Sequence, residues 1–350
     1  MRIEPTRLGN VAPLAGAPSD LAPANKPQVE IYQIDDFARC DEPGVTTHGE
    51  LVEYELGRTF QNSGGLKSTR VNLPLEFNVA EIEKGQPGSL KSYFKSHFID
   101  RLQANAKAWN QVLTVTKGPT VVQQSQGASE SRAVEHLFFR ARKDPDFRGQ
   151  LESQLGIPLT GSEKFDLAKQ ARLLGAMSQV SNQVHSQDPD IQASKEQLHQ
   201  VQSQANKRGI IHVISAGNSG ILYQEMVRNS IPIPSGFFVN EMAGPNSIIV
   251  GASDDGSKEP ISSNPHQVAK LASPFANAMF GADGIDRPLL VDGKATNDRG
   301  SSFAAPQVSA KVIGLLEDEP TLTRDQVVET LKSQARPVEG GQDYLGFGVV

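Results

Sequence analysis

The 350-residue sequence predicts an α/β fold with a mainly parallel central sheet and helices on both faces. Two patterns lead there. Short apolar runs of strand length recur along the chain, and amphipathic segments of helix length separate them. The composition agrees: 37% hydrophobic residues can bury a sizeable core, while 31 glycines and 22 prolines supply many turns.

The elements follow in order. Residues 1–27 are rich in Pro, Ala and Gly without periodicity, so they read as a flexible extension ahead of one domain spanning 28–350. "VEIYQI" (29–34) is a short buried strand that ends in Asp35-Asp36. From Thr47 the pattern turns helical, with Leu51, Val52 and Leu56 on one side. Leu90, Phe94, Phe98, Leu102, Ala106 and Trp109 recur at three or four and mark a helix over 89–112. "PTVVQQ" (119–124) is a strand that stops at Ser125-Gln126-Gly127. Residues 128–208 are mostly helical and polar, with balanced charge. Strands follow at "IIHVISAGNSG" (210–220) and "SIIVGAS" (247–253). "SSFAAPQVSAKVIGLL" (301–316) becomes a buried helix after Pro306, and "TRDQVVETLKSQA" (323–335) is a last amphipathic helix. In parallel sheets of this kind, reactive groups collect beyond the carboxyl ends of the strands.

Charge and motifs exclude several functions. The net charge of −6 and the lack of a basic cluster argue against a nucleic-acid partner. Cys40 is the only cysteine, so no intrachain disulfide forms, and a buried inert thiol is expected there. The N-terminus lacks a signal-peptide apolar region, and no run of 18 apolar residues marks a membrane span. A cytoplasmic protein is expected, or one exported by a signal-peptide-independent route, for example as a secretion-system effector. No zinc-binding spacing, GxGxxG or P-loop occurs, so no cofactor is expected; a structural calcium site is not legible. His212, in a strand, reads as a core histidine.

Four residues at element boundaries form a chemical set. A serine hydroxyl becomes a nucleophile only with an adjacent base, a carboxylate to orient that base, and donors preset for the oxyanion. Asp35 ends a strand, His48 starts a helix, Asn218 ends a strand and Ser302 starts a buried helix. Singly, each is an ordinary turn or cap residue.

Together and in this order they resemble the subtilisin-like serine proteases (subtilases). "GSSFAAPQVSA" resembles the family's nucleophile motif Gly-Thr-Ser-Met-Ala-(Ser/Ala)-Pro-His-Val. The resemblance makes Ser302 the nucleophile and Ser301 the Thr equivalent. "SAGNSG" resembles Ala-Ala-Gly-Asn-(Glu/Ser)-Gly, which implies Asn218 as the oxyanion-hole asparagine. "VVQQSQGAS" resembles the strand whose backbone lines the substrate groove, implying Ser125, Gln126 and Gly127. "IYQIDDF" and "THGELV" resemble the Asp and His motifs, implying Asp35 and His48. The order Asp, His, Ser is that of subtilisin itself.

The resemblance implies a three-layer fold, with a helical insertion over about 128–190, and a serine endopeptidase acting on protein or peptide substrates. A catalytically inactive fold serving as a protein-binding module is the alternative. This sequence departs from the family pattern in places. Asp36-Phe37 stands for Ser/Thr-Gly, so Asp36 competes with Asp35 as the His48 partner; Glu50 and Leu51 replace Thr and a second His. Two roles are open for the N-terminal extension: an inhibitory segment lying in the cleft, or a disordered tail.

Overall fold

A computed structural model describes residues 28–37, 47–59, 68–73, 78–157, 165–254, 259–260, 273–284, 289–291, 294–296, 299–339 and 341–350. The expected extension over 1–27 and Cys40 lie outside them. The first half runs β1 (Glu30–Asp35), α1 (His48–Thr59), β2 (Ser68–Asn72), α2 (Ala80–Glu83), α3 (Ser89–Val115) and β3 (Thr120–Gln124). Four helices follow: α4 (Glu130–Lys143), α5 (Pro145–Gln154), α6 (Leu167–Gln187) and α7 (Pro189–Lys207). Next come β4 (Ile210–Ser215), α8 (Gly220–Arg228), β5 (Ile248–Asp254), β6 (Glu259–Pro260) and β7 (Phe280–Asp283). The chain ends with β8 (Leu289–Val291), β9 (Lys294–Thr296), α9 (Ser301–Asp318), α10 (Arg324–Gln334) and α11 (Gln342–Leu345).

The sheet order is β2-β1-β3-β4-β5, with β6 and β7 both paired to β5. All these pairings are parallel except β5 with β6. Alternation along each strand sends side chains to opposite faces. Val29, Ile31, Val121, Val213 and Val250 join one core with Val308 and Val312 of α9 and Val327 of α10. Tyr32, Ile34, Val122 and Ile214 join another with Phe98, Leu102 and Trp109 of α3 and Leu198 of α7. Helix, sheet and helix therefore make three layers. Each large side chain so buried contributes about 1.5–3 kcal/mol. His212 is held in the second core, with Nδ1 2.7 Å from Ser247 Oγ and its ring edge-on to Trp109. Burial lowers it to about 3, so it stays neutral.

Helices α4, α5 and α6 fill the region read as an insertion. They build a third core in which Leu137, Phe138, Leu151, Leu174 and Met177 meet Phe94 of α3 and Met226 of α8. Asp144, Asp166 and Asp188 cap α5, α6 and α7 by accepting first-turn N–H bonds, which fixes three turns in this polar stretch.

The helix carrying Ser302 starts where the reading of Ser302 as a helix start places it, but Pro306 does not mark its beginning. It begins at Ser301, with Pro306 inside it rather than at its start. A proline there has no N–H to give the carbonyl four residues back, at Ser302. That carbonyl instead accepts a hydrogen bond from Ser125 Oγ at 2.8 Å, which removes the usual penalty.

Candidate active site

The carboxyl ends of β1, β3 and β4 and the start of α9 meet around a cavity of about 270 Å³, lined by His48, Ser125 to Ser129, Ser215 to Ser219, and Ser302 among others. β1 delivers Asp35, which is fully buried. Asp35 Oδ1 lies 2.7 Å from His48 Nδ1 and accepts from the Asp36 N–H at 2.7 Å. Gln126 Nε2 donates to the same oxygen at 3.2 Å and to the Leu73 carbonyl at 2.8 Å. Of the two acids, Asp35 is the one whose carboxylate meets His48. Asp36, just past the end of β1, uses its carbonyl to receive the Gly49 N–H at 3.0 Å.

His48 is the first residue of α1, and Thr47 and Glu50 set the helix start. Thr47 N–H donates to Glu50 Oε2 at 3.0 Å, and Glu50 N–H donates to Thr47 Oγ1 at 3.4 Å. This is a reciprocal capping box, and it gives a physical role to the glutamate that departs from the family pattern. The Nδ1–Asp35 contact assigns the proton to Nδ1 and leaves Nε2 as the basic nitrogen.

Ser302 and Ser125 are cross-linked. Ser302 Oγ donates to the Ser125 carbonyl at 3.1 Å, while Ser125 Oγ donates to the Ser302 carbonyl at 2.8 Å. The hydroxyl of Ser302 is thus turned to the end of β3. Ser125→Ala should cost about 1–3 kcal/mol in urea unfolding, because it orphans the Ser302 carbonyl. The cost should shrink in Ser125→Ala/Pro306→Ala, where residue 306 regains an N–H; equal costs would refute this account of the proline.

The start of α9 is prepared for negative charge. Its N–H groups have no partners within the helix. Gly300 N–H donates to the Gly284 carbonyl at 2.9 Å, Ser301 N–H to Asn218 Oδ1 at 2.9 Å, and Phe303 N–H to the Gly300 carbonyl at 3.1 Å. Among the described residues no hydrogen bond engages the Ser302 N–H, which stands at the positive end of the helix dipole. Asn218 Oδ1 is further held by Ser301 Oγ at 3.2 Å, which leaves Nδ2 to donate. Gly300 makes room for that amide: its φ is +146°, and a Cβ would stand 2.5 Å from Asn218 Nδ2.

All three predicted groove residues, Ser125, Gln126 and Gly127, line the cavity, and the Gln126 side chain also reaches Asp35. Sequence reasoning missed what holds this strand. Asn240, 2% exposed, donates to the Gln126 and Ser215 carbonyls at 3.1 and 2.9 Å, and its Oδ1 accepts from Ala128 N–H at 3.1 Å. It ties the ends of β3 and β4 together, and the space it fills is the space a Cβ on Gly127 would need. Arg101, Arg132 and Arg299 also line the cavity, and none was singled out from the sequence. Among the described residues, no group of three or more His, Cys, Asp or Glu is placed to hold a metal ion, and no helix is long and apolar enough to cross a membrane.

A parallel sheet that collects Asp, His, Asn and Ser side chains at its carboxyl edge has the architecture of a serine-protease fold. The chain belongs to the subtilase family, whose family model matches residues 101–348. That span contains Gln126, Asn218 and Ser302; Asp35 and His48 precede it. No curated protein matches the chain. Similar solved structures include a cold-adapted subtilisin-like serine proteinase, 14% identical, covering 92% of this chain and 89% of the other, with a TM-score of 0.42. A lanthipeptide protease is also similar: 14% identity, 91% and 84% coverage, TM-score 0.49.

Proposed function

We propose that this chain is a serine endopeptidase that cleaves protein or peptide substrates through an acyl-enzyme on Ser302. The observation that supports it most is the pairing of His48 with a fully buried Asp35 beside the same cavity that holds Ser302. Rotation of the Ser302 side chain exchanges the Ser125 carbonyl for His48 Nε2. Ser302 Oγ then attacks the scissile carbonyl as its proton passes to Nε2. The carbonyl oxygen gains negative charge and is met by Asn218 Nδ2 and the Ser302 N–H. As the C–N bond breaks, His48 returns the proton to the leaving amine. Water repeats the sequence: His48 takes its proton, the acid is released, and Ser302 regains its hydrogen. Asp35 keeps the imidazole tautomer and stabilises the imidazolium without becoming protonated. Gly127 offers its main-chain N–H to an extended substrate, in the manner of an added strand.

Fluorophosphonate labelling tests the assignment. The adduct should map to Ser302, vanish in Ser302→Ala, and persist in Ser301→Ala at a lower rate, since Ser301 only orients Asn218. The Ser302-to-Ser125 hydrogen bond favours a second reading, a fold that binds peptide without cleaving it. Intact wild-type protein that takes up no label would uphold that reading and defeat the first. Catalytic hydrogen bonds often tighten only with substrate bound.

Asn218→Leu should lower kcat by about 10²–10³-fold with little change in KM, a magnitude carried over from removal of the corresponding donor in subtilisin itself. Steady-state kinetics on one peptide substrate checks this. A change confined to KM would move Asn218 out of the oxyanion site.

A further inference from the structure

The cavity beside Ser302 has a basic wall. Arg101 from α3, Arg132 from the first turn of α4 and Arg299 just before Gly300 line it together with His48, Asn218 and Ser302. No aspartate or glutamate stands among its described lining residues. Arg101 is 5% exposed and reaches the Gly127 carbonyl, with Nη1 at 3.5 Å. Arg132 is more open, with its side chain 56% exposed. Behind the wall stands Glu135, whose Oε2 accepts from Arg132 Nη1 at 3.0 Å and from Ser219 Oγ at 3.2 Å. Glu135 thereby offsets part of one arginine and fixes its position. The carboxylate of Asp35 is engaged by His48.

Neighbouring groups register the positive field. Burial, with the Arg132 charge adding to it, lowers Arg101 to about 10. Burial lowers His136 to about 4, reinforced by Arg132, Arg140 and Arg101, and His97 is lowered by burial and the same two cavity arginines. Both histidines therefore stay neutral and add no charge of their own.

We propose that this cavity receives a carboxylate side chain, so that the enzyme cleaves after Asp or Glu. This rests on the assignment of Ser302 as nucleophile. A substrate whose carbonyl stands between Ser302 and Asn218 has its adjoining side chain at the mouth of this cavity. A carboxylate entering it meets guanidinium groups that offer paired donors in the geometry carboxylates accept. An uncharged side chain of similar shape would displace water from the guanidinium groups without offering them a charged acceptor.

The test uses fluorogenic peptide amides that differ only in the residue before the scissile bond: Glu, Asp, Gln, Leu and Lys. The same enzyme samples are titrated at Ser302 with fluorophosphonate. Wild type should favour Glu or Asp over Gln by about 10–100-fold in kcat/KM, the worth of one hydrogen bond to a charged group, and Lys should be poorest. The acidic-to-Gln ratio should fall at least about tenfold in Arg101→Gln and in Arg132→Gln. Arg101 is buried and its variant risks unfolding; Arg132, on the open side, gives the same readout. In Arg132→Glu, Lys should overtake Glu. Titratable enzyme that cleaves Leu or Gln peptides as well as acidic ones, that cleaves no acidic peptide, or whose ratio is unmoved by Arg132→Gln overturns the specificity alone. Enzyme that fails to label at Ser302 overturns the nucleophile assignment, and this proposal with it.

Discussion

Ser302→Ala is expected to lower kcat by about 10⁶-fold while leaving peptide binding nearly intact. The size follows from what the substitution removes and what it spares. It deletes the hydroxyl proposed to form the acyl bond. The Ser302 N–H and Asn218, whose orientation is fixed by Ser301, remain in place. The Ser125 hydroxyl also keeps its bond to the main-chain carbonyl of residue 302, so the start of α9 should not shift. Residual turnover of about 10³-fold over water is therefore expected from oxyanion stabilisation and binding alone. Adding His48→Ala to Ser302→Ala should lower the rate little further, because the two groups act as one unit. Turnover in Ser302→Ala within tenfold of wild type would rule out Ser302 as nucleophile.

Asp35→Asn should be the next most damaging change, at about 10⁴-fold in kcat, the scale known for the buried carboxylate of such triads. The amide is nearly isosteric, so the fold should survive, with circular dichroism unchanged. The charge that stabilises a protonated His48 is lost, and so is the control of its tautomer. Asp35 Oδ1 receives His48 Nδ1, the Asp36 N–H and Gln126 Nε2, so this one oxygen orders three groups at once. Asp36→Asn is the control. It keeps the main-chain bonds of residue 36 to Gly49 and Asp35, and kcat should change less than about threefold. A larger loss in Asp36→Asn than in Asp35→Asn would exchange the roles of the two acids.

The two acids also mark the limit of what was legible beforehand. Strand ends, the helix that carries Ser302 and the order of the reactive residues could be read because each rests on local pattern: apolar runs, spacing at three or four, and glycine before a helix. The sequence left Asp35 and Asp36 both available, since nothing local says which of two neighbours faces a distant histidine. Asn240, Arg101 and the side chain of Gln126 act across the fold on main-chain or carboxylate groups far away in sequence, and no local signal announces such partners. The Thr47–Glu50 box was readable as spacing but is obscured where a family pattern expects threonine. Strands β2 and β7 are four or five residues long and lie near the sheet's edges, where the apolar pattern is weakest. Pro306 misled for a sound reason: its missing N–H normally ends or precedes a helix, and only a donor from another strand makes the interior position tolerable.

That donor has a bearing on how such chains diverge. A lineage that exchanges Pro306 for an ordinary residue restores a helix bond and frees the hydroxyl at 125; a lineage that first loses the hydroxyl keeps an unsatisfied carbonyl at the nucleophile. Drift is therefore easier in one order than the other. The two positions, distant in sequence, should be inherited as a pair more often than either is inherited with its own neighbours, a correlation that can be counted directly once related sequences are aligned.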